Sequence, residues 1–163
     1  MKKILLMTMA VFTMSFQSLL ADGYIASYSI KVSDVAKFAK SFDELMTSDF
    51  GNKFPGTVTL GHFAFNGYDD ASHAVVISYN SEEDMAKGTE MFYTPRFGAF
   101  LDDVNGISEP VEQSLNRKLI SGGNDNQADN NVYTTYYMSV KNPKKYASAW
   151  KKLIDAQVAN NNI

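Results

Sequence analysis

The chain has 163 residues, a formal net charge of −3 and no cysteine. Its pI near 5.3 leaves no basic footprint for a phosphate backbone, so nucleic acid is not an expected partner. The lack of cysteine excludes disulfide staples, thiolate zinc sites, cysteine nucleophiles and thiol redox chemistry, so packing alone must hold the fold.

Lys2 and Lys3 precede an apolar run from Ile4 to Phe16, broken by Thr8, Thr13 and Ser15, and Ala21 offers a small residue before a cut. This is the pattern of a signal peptide over 1–21 with cleavage before Asp22, the run being short of the roughly 20 residues a membrane span needs. The rest of the chain is expected to be exported, periplasmic or extracellular, with no membrane association after the signal is removed. It has the usual size of one domain.

From Tyr24 to Val32 the residues alternate, with Tyr28, Ile30 and Val32 on one face and Ser27, Ser29 and Lys31 on the other. That period predicts a half-buried strand. Ser33 suits an N-cap, and Val35, Phe38, Ala39, Phe42, Leu45 and Met46 then recur at helical spacing. Gly51, Pro55 and Gly56 mark a turn, with Gly51 read as a helix C-cap. Thr57–Phe65 and Ser72–Tyr79 follow as two strands of a hairpin around Asn66-Gly67-Tyr68-Asp69-Asp70.

Ser81-Glu82-Glu83-Asp84 resembles a capping box and opens a second helix through Met85, Met91 and Phe92, which Pro95 should interrupt before Phe97–Val104. The stretch Pro110–Ile120 carries both helix signals and strand alternation, and is read as the strand that completes a sheet. Residues 121–131 (SGGNDNQADNN) have nothing to bury and form a polar linker. Val132–Val140 then predicts another strand, and Asn142-Pro143 the start of a helix whose apolar face is Tyr146, Ala147, Trp150, Leu153 and Ile154.

The chain repeats itself. Ile25–Met46 aligns without a gap on Tyr133–Ile154, with identity at Tyr28/Tyr136, Val32/Val140, Lys37/Lys145, Ala39/Ala147 and Leu45/Leu153. The reading is therefore an α+β chain. A βαββαβ module spans 22–120, with helices on one face of an antiparallel sheet, and a partial second copy (βα) spans 132–163.

Strand, helix, strand, strand, helix, strand, then the start of a second copy, resembles the ferredoxin-like dimeric α+β barrel superfamily. Element order and duplication carry this resemblance over Tyr24–Ile120 and Val132–Ile163, without a diagnostic motif. It implies two modules pairing their sheets, between chains or within one, and a pocket between sheet and helices or inside the barrel. A homodimer through the sheet is the implied partner.

The second copy lacks counterparts of Thr57–Phe65 and Ser72–Tyr79, so an intrachain barrel should not close. Either the sequence is a piece of a longer duplicated protein, the preferred expectation because Trp150, Leu153 and Ile154 otherwise stay uncovered, or the partial module exchanges with a partner chain. A plainer option is that its strand joins the first sheet.

The two histidines, His62 and His73, fall on the two strands of one hairpin, where an imidazole pair serves as ligand or proton carrier. Ser27 and Ser29, matched in the repeat by Thr135 and Tyr137, give the first strand a semi-polar face that offers hydroxyls to a small ligand. These four are the candidate ligand-binding residues. The aromatics Phe63, Phe65, Tyr79, Phe92, Tyr93, Phe97 and Phe100 are read as core first and pocket wall second. Asn66, Asp69 and Asp70 lack the spacing of a calcium loop and are read as a solvated turn.

No GxSxG, HExxH, P-loop or dinucleotide fingerprint is present, so an ordinary hydrolase or nucleotide enzyme is disfavoured. No catalytic residue, metal or cofactor is assigned. The expected function is an exported small-ligand-binding or assembly module. The alternative, implied by the resemblance, is a small monooxygenase or haem-processing enzyme using one histidine as ligand or base.

Overall fold

The computed structural model describes residues 23–120 and 132–160. The signal peptide read over 1–21, the linker read over 121–131 and the last residues, 161–163, lie outside the described residues.

Strand β1 (Tyr24–Val32) leads through helices α1 (Val35–Met46) and α2 (Asp49–Lys53) to β2 (Thr57–His62) and β3 (His73–Tyr79). Helices α3 (Glu82–Met91) and α4 (Pro95–Val104) then lead to β4 (Ser108–Arg117), and α5 (Pro143–Ala159) closes the order. The sheet is four-stranded, in the order β2-β3-β1-β4, and every pair is antiparallel. β1, first in the chain, is therefore an inner strand, which is why its alternation is so regular: both of its edges and one of its faces are occupied.

Local sequence chemistry sets most element ends. Asp34, one residue later than the expected Ser33, caps α1 by accepting from the Lys37 amide at 3.0 Å. Ser33 is used elsewhere, its amide donating to the Ile107 carbonyl at 2.9 Å and its hydroxyl to the same oxygen at 3.3 Å. Ser81 caps α3 as expected, accepting from the Asp84 amide at 3.0 Å. Pro95 starts α4 where its missing N–H is harmless. Pro110–Arg117 is strand, as read, within β4.

Gly51 is no C-cap. It lies inside α2, pressed against the backbone of Met46 at the end of α1, where a methyl group would meet the Met46 carbonyl.

The core lies between the sheet and α1 to α4. One cluster joins Val32, Phe38, Leu45, Phe50, Phe100 and Val104, with Ile30 and Leu60 against it. A second joins Ala26, Ile77 and Tyr79, with Val58, Val75, Met85 and Phe92 against it. All the strand residues in both clusters belong to one face of the sheet, since the register sets Ala26 beside Ile77, Tyr28 beside Val75 and Leu60 beside Val75.

Aromatic rings fill the layer in edge and tilted contacts, such as Phe92 with Phe97 at 4.8 Å and Phe38 with Phe100 at 6.1 Å. Two aromatics read as core are outside it: Phe65 and Tyr93 are each 85% exposed. Val35, read as inward, is 51% exposed because it occupies the first turn of α1, beyond the edge of the core.

The second copy departs most from expectation. Val132–Val140 forms no strand, whereas the equivalent residues of the first copy form the inner strand β1. Alternation prepares a segment for a ladder but does not supply the partner strand that a ladder needs. The helical half does form: Asn142 caps α5 by accepting from the Lys145 amide at 3.0 Å, and Pro143 takes the first turn.

Candidate functional site

The register divides the four candidate residues between opposite faces of the sheet. Ser27 pairs with Val76 and Ser114, and Ser29 with Ala74 and Glu112, so both serines point away from the helices. His62 pairs with His73, which pairs in turn with the core residue Ile30, so both histidines belong to the helix-facing side. A sheet thus separates the serine pair from the histidine pair.

The histidines are brought together at the hairpin end of β2 and β3, with ring centroids 6.5 Å apart. The Ser72 hydroxyl lies 2.9 Å from His73 Nδ1 and accepts from the Val32 amide at 2.9 Å, so the imidazole is tied to the end of β1. Burial pushes the His73 imidazole below the usual histidine range, and the neighbouring His62 pushes it further the same way. Among the described residues no group of three or more His, Cys, Asp or Glu gathers as a metal site. The hairpin carboxylates serve the turn itself, with Asp69 accepting from the Ala71 amide at 2.8 Å and Asp70 3.4 Å from Lys31 Nζ.

The serines lie on a face that no helix of the core covers. Its residues on β1, β2 and β3 are mainly small: Ser27 and Ser29, Thr57, Thr59 and Gly61, then Ala74, Val76 and Ser78. It is half-buried near its centre and rich in hydroxyl groups that both donate and accept. Small side chains let a second surface come close to the strands. A separate shallow depression of about 420 Å³, bounded by Lys53, Pro55, Lys87, Glu90, Met91 and Thr94, lies on the helical side and contains none of the four residues.

No family model matches the chain, and no curated protein matches it. Solved structures do. HapK from Hahella chejuensis is 17% identical, with 62% of this chain and 97% of that one covered and a TM-score of 0.44. SnoaB, a cofactor-independent oxygenase from Streptomyces nogalater, is 16% identical over 66% of this chain and 100% of its own, with a TM-score of 0.43. A dimeric ferredoxin-like protein of unknown function from Thermobifida fusca YX is 10% identical over 60% of this chain and 91% of its own, with a TM-score of 0.41.

The fold is ferredoxin-like. The chain's own strand order β2-β3-β1-β4 and the helices layered over one face of the sheet define it. Likeness at these scores carries no argument about chemistry.

Sequence reasoning found the hairpin histidines and the serine face but not their separation. The signal that decides it is the pairing register, since one residue of slip exchanges the two faces of a strand. The uncovered face as a whole was missed, because its Thr, Gly, Ala and Val residues look unremarkable until β1, β2 and β3 are set side by side.

Proposed function

We propose that this chain is an exported assembly and small-ligand-binding module that pairs with a second copy through the open face of its sheet. The observation that carries the reading is the uncovered face, whose β1, β2 and β3 residues around Ser27 and Ser29 are mainly small hydroxyl and aliphatic ones, with Glu109 and Glu112 of β4 along one margin. A sheet with one face packed on helices and the other made of small side chains is suited to face-to-face packing at about 10 Å. Hydroxyls enclosed between two such faces become binding groups for a small polar ligand, because each must find a partner once water is excluded. Among the described residues no helix is long and apolar enough to cross a membrane.

Native mass spectrometry of the exported protein tests this by reading oligomer and retained ligand together. A dimer carrying added small-molecule mass supports the reading, and a monomer without ligand sinks it. A second reading, a small monooxygenase or haem-processing enzyme, draws on the His62 and His73 rings, 6.5 Å apart at one end of the helix-facing side. A visible absorption band on adding haem, lost in His62→Ala and His73→Ala, favours that version. Unchanged ligand retention and assembly in both alanine variants removes the histidines from the site.

A further inference from the structure

No residue of 132–160 is buried, although the segment is rich in apolar side chains. Val132–Val140 (VYTTYYMSV) has no charged residue and mixes β-branched with aromatic side chains, a composition made for a ladder it does not have. On α5, Tyr146, Trp150 and Leu153 recur at helical spacing and are 40%, 45% and 48% exposed, with the Tyr146 and Trp150 rings 6.5 Å apart. Apolar surface of this extent marks a contact.

We propose that this arm docks on the outer edge of β4 of a second copy of the chain, with 132–140 adding as a strand and α5 packing beside it. Three features of β4 support the choice. Its outer edge has no strand partner among the described residues, and on its inner edge it already pairs along β1, the strand whose sequence 133–140 repeats. Val111 and Leu115 on β4 and Leu119 just beyond it are 41%, 59% and 52% exposed, and Leu115, opposite Ala26, lies on the helix-facing side, so this edge carries apolar surface beside which α5 can pack.

The third feature is charge. Between 132 and 160, Lys141, Lys144, Lys145, Lys151 and Lys152 stand against Asp155 alone, a net of +4. Between 23 and 120, eight basic residues stand against fourteen acidic ones, a net of −6. Two of those acids, Glu109 and Glu112, are on β4 itself, whereas the opposite edge strand, β2, has no carboxylate to meet the lysines.

Reciprocal exchange of arms uses the same two surfaces on both copies and closes at a dimer. The arm takes the edge of the sheet, while Glu109 and Glu112, opposite Lys31 and Ser29, line the open-face side of that edge, so charge reversal on the arm is what separates this contact from pairing of the open faces.

The test is carbodiimide coupling of lysine to carboxylate in a sample of the mature full chain made from natural and 15N-labelled copies refolded together. Cross-links between Lys144, Lys145, Lys151 or Lys152 and Glu109 or Glu112 are expected, with mixed-label products at the frequency of random pairing. Same-label products alone mean that the arm folds onto its own sheet, and absence of these cross-links means that it docks elsewhere; either overturns the proposal. In parallel, the double change Glu109→Lys and Glu112→Lys should weaken self-association by roughly tenfold or more, since like charges then face each other across the contact. Adding Lys144→Glu and Lys145→Glu should restore it, and failure of that rescue also counts against the proposal.

Discussion

Gly88 and Gly98 both lie inside helices, α3 and α4, yet the same substitution should move stability in opposite directions at the two positions. Taken alone, glycine to alanine in a helix interior gains about 1 kcal/mol, because alanine has less backbone freedom to lose. At Gly98 a new methyl group meets nothing within 4 Å, so most of that gain should survive. At Gly88 it would stand 2.6 Å from Cε1 and 2.8 Å from the hydroxyl of Tyr79.

Tyr79 is 1% exposed and cannot swing aside into water. Its other flank is closed by Gly56, where a Cβ would already lie 3.0 Å from Tyr79 Cδ1. Overpacking of this kind costs typically about 1–3 kcal/mol, which exceeds the helix gain. Gly88→Ala should therefore lose about 1 kcal/mol net and Gly98→Ala should gain somewhat under 1 kcal/mol. Urea unfolding followed by circular dichroism reads both, and a difference of about 1 kcal/mol is a few degrees in Tm for a domain of this size. If Gly88→Ala were as stabilising as Gly98→Ala, the close packing of α3 on Tyr79 would be wrong.

Other predictions address different parts of the molecule. Gly51→Ala should be more damaging than Gly88→Ala, because the obstacle is the Met46 backbone and the α1–α2 corner must open; a Tm equal to the parent would contradict this. Phe38→Ala, at a core position 3% exposed, should cost about 3–5 kcal/mol in chemical denaturation, and a loss below 1 kcal/mol would place the core elsewhere. His73 should titrate below the 6.5 of a free imidazole, and His62→Ala should move it back upward by removing a neighbouring positive charge; an NMR titration reads both. Because its folded value is the lower one, the contribution of His73 to stability is present above pH 6.5 and lost as the pH falls through the folded value. Tyr79, pushed up to about 12 by burial and by Tyr28, should be among the last tyrosines to ionise in an ultraviolet alkaline titration. Its contribution is present below pH 10.0 and lost as the pH rises through about 12, so early ionisation at native pH would refute its burial.

The α+β order was legible in the sequence wherever pattern and local chemistry act together. β1 ends where its alternation ends, Ser81 caps the helix it was expected to cap, and Pro95 separates α3 from α4. Errors arose where a distant contact decides. Ser33 gave up the cap of α1 because Ile107, far along the chain, engages both its amide and its hydroxyl. Val132–Val140 alternates as β1 does but finds no strand beside it among the described residues, so a correct pattern led to an element that did not form. The candidate site was legible residue by residue. Its division into two faces was not, because parity across a sheet belongs to the pairing of strands and not to any one of them.

The absence of native cysteine makes the decisive measurement simple, since Ser27→Cys places one thiol at the centre of the open face. Its rate of alkylation is measured in dilute and in concentrated protein, with Glu90→Cys on the exposed side of α3 as the control. Pairing through the sheet face predicts that the Ser27→Cys thiol reacts quickly when dilute and slows severalfold when concentrated, while the control does not change. A Ser27→Cys rate that is the same at both concentrations, in protein that sediments as a monomer in one and a dimer in the other, would show that the open face is not where the copies meet.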